Sequence, residues 1–359
     1  MRPREADTAS RPLRIAQVAP LYESVPPPRY GGTERIVSYL TEELVRRGHA
    51  VTLFASGDST TAAHLVPCAP KALRLDQPRD AVLRHFLELE TVSSAADAFD
   101  VIHAHTDYLT LPFARSVSTP TILTLHGRLD LPDLPALFAR YPDVPLVSIS
   151  DSQRAPFGAQ STWAGTVHHG IPLAGYPFSA APGEYLVFIG RVSPEKGLDL
   201  AIRIAEAVGL PLRVGAKVDA ADQRYFDSVI RPLLGSPLVE FIGEVDEATK
   251  VELLGHARAL LFTIDWPEPF GLVMLEAMAC GTPVVARPCG AVPEVLVDGV
   301  TGFLGEGLDD LIAAVRAVDR LDRAACRAHV EANFSVGRMA DGYEALYRKL
   351  LRPRLRAVS

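Results

Sequence analysis

The stretch that decides the fold runs from Asp265 to Gly302 and reads DWPEPFGLVMLEAMACGTPVVARPCGAVPEVLVDGVTG. Seven residues separate two glutamates, Glu268 and Glu276. Glu268 is predicted to precede a helix and Glu276 to lie in its first turns. Unpaired backbone amides and the positive end of the helix dipole then fall between the two carboxylates. A helix N-terminus binds anions, whereas carboxylates accept hydrogen bonds from sugar and ribose hydroxyls. A ligand that is both anionic and rich in hydroxyl groups is a nucleotide sugar.

The bulk composition excludes several classes of protein. A chain of 359 residues with 48% hydrophobic residues predicts two domains of ordinary size. It has no run of about 20 apolar residues, and residues 1–12 lack the apolar core of a secretory signal. We therefore expect a cytoplasmic protein with a disordered leader. The four cysteines form no CxxC motif and are expected to be thiols. A net charge of −7 argues against a nucleic-acid partner and gives no strong membrane signal.

Short apolar runs alternate with amphipathic ones, which is typical of parallel sheets with crossover helices. The predicted strands of the first half begin at Arg14, Ala50, Val101, Thr121 and Leu146. Those of the second half span residues 185–189, 211–215, 238–242, 259–263 and 283–286. Helices are predicted over 33–47, 195–208, 220–234, 246–256, 270–280 and 308–320.

The predicted fold class is therefore α/β, with two Rossmann-like, doubly wound domains. Such sheets bind ligands at the carboxyl ends of their strands, so a cleft is expected between the two domains. The composition changes to a proline- and glycine-rich segment around 170–184. The predicted boundaries are 13–172 for the first domain, 173–184 for a linker, 185–335 for the second domain, 336–352 for a helix that packs back on the first domain, and 353–359 for a tail.

Two cations follow the first strand of the second domain, in the segment GRVSPEKG at 190–197. Arg191 and Lys196 are predicted to lie at the carboxyl end of that strand, where they would neutralise a diphosphate. The alternative is a surface ion pair of Lys196 with Glu195 or Asp199. We favour the phosphate interpretation because the position faces the cleft.

Weaker signals come from the first domain. Gly31 and Gly32 follow its first strand and open a helix, where a backbone can approach an anion closely, although two adjacent glycines are also common in turns. His126 follows another strand and is either beside the reacting centre or a loop histidine bonded to backbone. His103 and His105 alternate in an apolar strand, so they face one side and are interpreted as core or rim histidines.

Several motifs are missing from the sequence. No GxGxxG follows a predicted strand, which removes the main argument for a dinucleotide cofactor. No Walker A, GxSxG or HExxH motif occurs. Aspartates never occur at positions i and i+2, so the chain lacks the DxD motif that would hold a divalent metal on a diphosphate. We therefore expect no metal and no cofactor.

Several of these motifs resemble those of the retaining glycosyltransferases of family 4. The run from Glu268 to Val284 resembles the EX7E motif of that family, and residues 190–197 resemble its phosphate-binding element. The glycine loop, His126 and the segment VDGVTGF at 297–303 match its usual positions. The resemblance spans residues 14–350 and implies the GT-B fold, with the donor sugar in the interdomain cleft and usually no metal.

The resemblance also implies roles for individual residues. Glu276 would hold the ribose hydroxyls, and Glu268 would bind sugar hydroxyls near the anomeric carbon. Arg191 and Lys196 would stabilise the leaving diphosphate, with His126 beside the sugar. The remaining donor contacts would be Gly31 and Gly32, Val245 near the base, and the backbone amides of Phe270, Gly271 and Leu272.

The predicted function is the retaining transfer of a hexose-type sugar from a nucleotide diphosphate sugar to a hydroxyl acceptor that the sequence does not identify. The acceptor would be a small molecule, a glycan or a lipid-linked glycan. UDP is the expected nucleotide and GDP the next choice. Two alternatives stay open. One is a nucleotide-sugar epimerase with the same fold, and the other is a non-catalytic protein that binds sugar nucleotides.

Overall fold

A computed structural model describes residues 11–352, apart from 77, 79, 161 and 162 and the side chains of 158–160. Most of the predicted leader and all of the predicted tail lie outside this range. The described residues form two α/β units, each built on one parallel sheet.

The first sheet has seven parallel strands in the order β3-β2-β1-β4-β5-β6-β7. Helices cover both faces of a sheet of this kind, which is why its strands are buried on both sides, as in Ile15–Val18. The strands are β1 Arg14–Val18, β2 Ala50–Ser56, β3 His64–Ala69, β4 Val101–Ala104, β5 Thr121–Thr124, β6 Leu146–Ser148 and β7 Trp163–Thr166.

The second sheet has six parallel strands in the order β10-β9-β8-β11-β12-β13. In both sheets the strand order reverses once, between β1 and β4 and between β8 and β11, and a crevice opens at such a point. The strands are β8 Leu186–Arg191, β9 Leu212–Lys217, β10 Val239–Gly243, β11 Ala259–Phe262, β12 Val284–Ala286 and β13 Gly302–Leu304.

Fourteen α-helical segments, some of a single turn, surround the two sheets in the described part of the chain. In the first unit they are α1 Gly32–Arg46, α2 Leu73–Asp76, α3 Ala81–Ser94, α4 Leu111–Ser116 and α5 Leu134–Phe138. The second unit has α6 Leu198–Val208, α7 Gln223–Tyr225, α8 Arg231–Leu233, α9 Glu247–Gly255, α10 Leu272–Ala279, α11 Val292–Val295, α12 Leu308–Ala317 and α13 Arg323–Asn333. The last is α14 Val336–Leu351.

The last helix, α14, returns to the first unit, as predicted. Its tyrosines Tyr343 and Tyr347 are fully buried in the same core cluster as Ile15 of β1 and Ile36 of α1. The chain leaves the first unit and comes back to it at one place, because Ile171 pairs with Ser335 in a parallel bridge. This double crossing ties α14 to the point where the two units meet.

Most of the predicted elements are confirmed, including the helix over 33–47 and the positions of Glu268 before α10 and Glu276 within it. The helix predicted over 220–234 is present as an unbroken helical run, but it is not a regular α-helix. A π-helix at Phe226–Ile230 lies between α7 and α8. Pro232 has no amide to donate to the carbonyl of Ser228, so the regular α-helical hydrogen bond is missing at this position.

Glu88 is a buried carboxyl group on α3, and neither of its oxygens has a hydrogen-bond partner within the described chain. Burial raises the pKa of Glu88 well above its ordinary value. A group whose pKa is raised by folding destabilises the native state as pH rises through the interval between its unfolded and folded values.

We therefore expect Glu88→Met to stabilise the protein, by about 1–3 kcal/mol at pH 8 and by less at pH 5. Urea unfolding at both pH values measures this difference. Glu90→Met is the matched control, because Glu90 is exposed on the same helix and its replacement should leave the stability nearly unchanged. Equal effects of Glu88→Met at the two pH values would contradict the assignment of an unpaired buried carboxyl group.

Candidate active site

A cleft with a volume of about 570 Å³ lies between the carboxyl ends of the two sheets. Both reversal points open into it, with Gly31 and His126 on the first unit and Arg191 and Glu268 on the second. Eight cationic side chains line it against seven carboxylates, although the whole chain carries a net charge of −7. The cations are Arg29, Arg35, Arg74, Arg128, Arg191, Lys196, Lys217 and Lys250. A cleft with this charge balance can accept a ligand that is anionic at one end.

Glu268 lies in the loop before α10 and is largely buried. Its Oε2 atom is 2.5 Å from Nζ of Lys196, with only 13% of the glutamate side chain exposed. The loop requires a glycine behind it, because a Cβ atom on Gly290 would lie 2.3 Å from the amide nitrogen of Glu268. The carboxylate that is predicted to lie near the reacting carbon is thus paired with the amine of Lys196.

Glu276 lies about one turn after the start of α10 and is buried, with 3% of its surface exposed. It accepts a hydrogen bond from Nζ of Lys250 at 2.6 Å and one from the hydroxyl of Tyr176 at 3.4 Å. Lys250 also contacts Glu247 at 2.9 Å. Burial lowers the pKa of Lys250, but the carboxylates of Glu276 and Glu247 outweigh this and raise it above its ordinary value. The pair therefore holds a fixed carboxylate at the wall of the cleft.

The N-terminus of α10 faces the cleft between these two glutamates. Gly271 caps it with φ of 84°, and a Cβ atom there would lie 2.8 Å from Met274 and 2.9 Å from Phe262. Only glycine fits this left-handed position without strain. The first amides of a helix have no partner within it, so the amides around Leu272 are available to a ligand in the cleft.

Arg191 and Lys196 both line the cleft. Arg191 ends β8, and its guanidinium donates to Glu195 at 2.7 Å, while its buried Nε has no hydrogen-bond partner among the described residues. Lys196 pairs with neither Glu195 nor Asp199 but with Glu268, and its amine lies 5.0 Å from the ring centre of Trp266. The alternative surface ion pair of Lys196 is therefore wrong, whereas Arg191 does form a local pair.

The glycine loop of the first unit meets α10 across the cleft. Gly32 begins α1, and a Cβ atom on it would lie 3.6 Å from the side chain of Leu272. Arg35 on the same helix reaches Glu247 of the second unit at 3.0 Å. Glu34 is buried in the first turn, and this burial raises its pKa to about 7. The loop therefore brings backbone from the first unit against the proposed anion site.

His126 follows β5 and lies half-buried at the floor of the cleft. Its Nε2 atom is 2.8 Å from Nδ1 of His105, and its ring stacks on His169 with the ring centres 5.3 Å apart. His103 and His105 face one side, as predicted, with their ring centres 4.0 Å apart, and both are buried. Burial lowers the pKa of His126 to about 3. The ring is therefore neutral and acts as a hydrogen-bonding group.

Val245 lines the cleft beside Gly215 of β9. A Cβ atom on Gly215 would lie 3.2 Å from Val245, so the glycine keeps this wall open. Lys250, Arg35 and His169 were not predicted from the sequence. Their contacts join residues that are far apart in the chain. The one local signal was the position of Lys250 directly after the segment VDEAT at 245–249.

Three further observations concern metal sites, cysteines and membrane spans. No group of three His, Cys, Asp or Glu residues is arranged to hold a metal ion in the part of the chain that the structure describes. The four cysteines are free thiols, as expected. Among the described helices, none is long and apolar enough to cross a membrane.

Comparison with known proteins gives consistent results for both units. Residues 179–324 match the family model "Glycosyl transferases group 1", and residues 30–152 match "Glycosyltransferase Family 4". The D-inositol 3-phosphate glycosyltransferase of Mycolicibacterium smegmatis is 25% identical over 89% of this chain and 87% of its own length.

Solved structures show the same architecture. AviGT4, a glycosyltransferase involved in avilamycin A biosynthesis, superimposes with a TM-score of 0.74 at 25% identity, over 95% of this chain and 98% of its own. Anabaena Alr3699/HepE in complex with UDP and glucose has a TM-score of 0.70 at 18% identity, over 93% of this chain and 98% of its own. The fold of this chain is therefore the GT-B fold.

Proposed function

Since this chain belongs to the family 4 glycosyltransferases, we propose that it transfers a hexose-type sugar from a nucleotide diphosphate sugar to a hydroxyl acceptor, with retention at the anomeric carbon. UDP is the proposed nucleotide and GDP the second choice. HepE, a protein with the same fold, binds UDP and glucose. No metal is proposed to take part.

The arrangement of groups along the cleft carries this proposal. Two carboxylates, Glu268 and Glu276, flank the N-terminus of α10, and Lys196 and Arg191 line the same cavity. A sugar and a ribose supply hydroxyl groups for the carboxylates, and the diphosphate between them supplies negative charge for the helix terminus and the cations. One ligand therefore satisfies the whole set.

In the proposed mechanism the bond between the anomeric carbon and the phosphate oxygen breaks while the acceptor oxygen attacks from the same face. The acceptor proton passes to the departing phosphate oxygen, so no separate base is needed. Lys196, Arg191 and the amides of α10 stabilise the charge that develops on the leaving group, which is the task that preorganised donors do best. Glu268 orients the sugar, and Glu276 holds the ribose.

The two alternatives predict different products. An epimerase would isomerise or hydrolyse the donor without any acceptor, and a non-catalytic protein would bind the donor and leave it intact. The cleft keeps Glu268, Glu276, Arg191 and Lys196 together, which favours the transferase over a decayed site.

A thermal-shift panel of UDP-, GDP-, ADP- and dTDP-sugars tests the donor. A ligand at 100 times its dissociation constant should stabilise the protein by about 2.7 kcal/mol. The best donor then enters an acceptor panel headed by D-inositol 3-phosphate, because the mycobacterial relative is a D-inositol 3-phosphate glycosyltransferase. NMR of the product reports the anomeric configuration, and an inverted product or an unchanged donor would contradict the proposal.

Turnover is expected to persist in EDTA, because Arg191 and Lys196 already supply two positive charges to the leaving diphosphate. The assay is the same transfer reaction before and after dialysis against the chelator. Complete loss of turnover in EDTA, restored by Mn²⁺ or Mg²⁺, would show that the metal-free mechanism is wrong.

A further inference from the structure

We infer that Gln17, His105 and Tyr347 form a positioning chain that holds His126 in one tautomer, with Nε2 protonated and Nδ1 free to accept a hydrogen bond from a hydroxyl group of the bound sugar. Only the identity of that hydroxyl group rests on the proposed function. The chain connects the floor of the cleft to α14, the helix that returns from the second unit.

The direction of each hydrogen bond follows from the first members of the chain. Oε1 of Gln17 lies 2.8 Å from Nε2 of His105. A carbonyl oxygen only accepts, so Nε2 of His105 carries the proton and its Nδ1 is bare. That bare nitrogen lies 2.8 Å from Nε2 of His126 and accepts from it. A neutral imidazole carries one N–H, so Nδ1 of His126 is an acceptor.

The orientation of the Gln17 amide is set from the side of α14. Its Nε2 atom lies 3.2 Å from the hydroxyl of Tyr347 and 3.4 Å from Nδ1 of His103. The nitrogen thus donates to the Tyr347 hydroxyl, and the oxygen faces the single donor on His105. Because the Tyr347 hydroxyl accepts from Gln17, its own hydrogen is free for Nδ1 of His103, which lies 2.7 Å away. Tyr347 therefore fixes the amide that fixes the tautomer.

Burial makes this arrangement effective. Gln17 and Tyr347 are fully buried and His105 is 1% exposed, so water cannot replace a lost partner. Burial also lowers the pKa of His103 and His105 well below the ordinary value, which keeps both rings neutral. Among the described residues, Nδ1 of His126 has no hydrogen-bond partner, and the ring lines the cleft. The free nitrogen is thus available to a ligand.

Nitrogen-15 NMR of the imidazole rings tests the tautomer directly in the ligand-free protein. We expect His126 to show a protonated Nε2 and a bare Nδ1, with its signals assigned by their loss in His126→Asn. A protonated Nδ1 on His126 would overturn the inference. This measurement needs no substrate, so its failure is distinct from a failure of the donor panel to show any sugar nucleotide binding.

Tyr347→Phe tests the role of α14, with Tyr343→Phe as the matched control. Both tyrosines are fully buried on one helix, but the Tyr343 hydroxyl bonds Thr124 and does not touch Gln17. We expect Tyr347→Phe to mix the tautomers of His126 and to lower kcat about 10-fold, the value of one hydrogen bond. Tyr343→Phe should keep the parental spectrum and turnover. Equal losses in the two variants, in step with their Tm values, would mean that Tyr347 is only structural.

Two substitutions of His126 separate its nitrogens. Asparagine places a carbonyl oxygen near the position of Nδ1, whereas glutamine places its amide near Nε2 and reaches His105. If Nδ1 is the group that binds the sugar, His126→Asn should retain about 10-fold more kcat/KM than His126→Gln. Equal activity, or more activity in His126→Gln, would show that the contact with His105 is the one that matters.

Discussion

Lys196→Ala is expected to lower turnover by roughly 10²–10³-fold, the usual cost of removing a preorganised charge stabiliser. The donor dissociation constant should change far less, because Lys196 acts on charge that develops on the leaving diphosphate. In the free protein the amine lies 2.5 Å from Glu268, so the carboxylate holds it in the cleft before the donor binds. Steady-state kinetics and calorimetry with the nucleotide measure the two effects separately.

Arg258→Ala is the control for this prediction. Arg258 is a partly buried cation of the same unit that pairs with Asp319 and does not line the cleft. Its loss should leave turnover nearly unchanged. The double variant Arg191→Ala/Lys196→Ala should lose less than the product of the single losses, because both cations act on one anion.

The opposing interpretation is that Arg191 and Lys196 only form structural ion pairs and do not stabilise the leaving group. In that case the single variants should keep most of their turnover. Arg191→Ala breaks a pair that is about one-third exposed and should lose about 1 kcal/mol of stability or less, whereas Lys196→Ala breaks a largely buried pair and should lose more. Arg191→Ala distinguishes the two roles best, because the guanidinium of Arg191 already forms a local ion pair with Glu195 at 2.7 Å. Melting curves recorded with each kinetic series distinguish a damaged fold from a damaged leaving-group site.

The sequence predicted the parts of the fold that are governed by local patterns. The helix start between Glu268 and Glu276 follows from the PFGL segment, because Gly271 takes a left-handed conformation that few other residues adopt. Among the elements of the first unit that were not predicted, two were missed for clear physical reasons. Strand β3 is a partly exposed edge strand that contains Pro67, and proline argues against a strand. Helix α3 carries exposed apolar residues such as Phe86 on its outer face, which hides the amphipathic pattern.

The site was predicted less completely than the fold, because its side chains are held by contacts between distant residues. Lys250 and Glu276 are 26 positions apart, and Arg35 reaches Glu247 from the other unit. No local spacing encodes these pairs. The tyrosines of α14 are an extreme case, since Tyr347 bonds Gln17 across 330 positions. Only the folded chain shows that a C-terminal helix supports a histidine in the cleft.

Glu276→Gln is expected to raise the dissociation constant for UDP by about 10–100-fold, the value of a hydrogen bond to a charged group. The parent should prefer UDP over 2′-deoxyUDP, and the variant should lose that preference, because the ribose hydroxyl no longer meets a carboxylate. Isothermal calorimetry with both nucleotides measures the four constants. An unchanged preference in the variant would show that Glu276 does not hold the ribose.

Stability separates this binding role from the structural role of the same carboxylate. Glu276 is 3% exposed and lies 2.6 Å from the buried amine of Lys250, so its neutralisation leaves that amine with Glu247 as its remaining carboxylate. Breaking a buried pair in this way should cost about 3 kcal/mol. The double variant Glu276→Gln/Lys250→Met removes both charges and should recover much of the lost stability. It should not recover the affinity for UDP, because the methionine replaces the structural partner of the carboxylate and not its hydrogen bond to the ribose. Recovery of both properties together would mean that the binding loss in Glu276→Gln came only from a distorted α10.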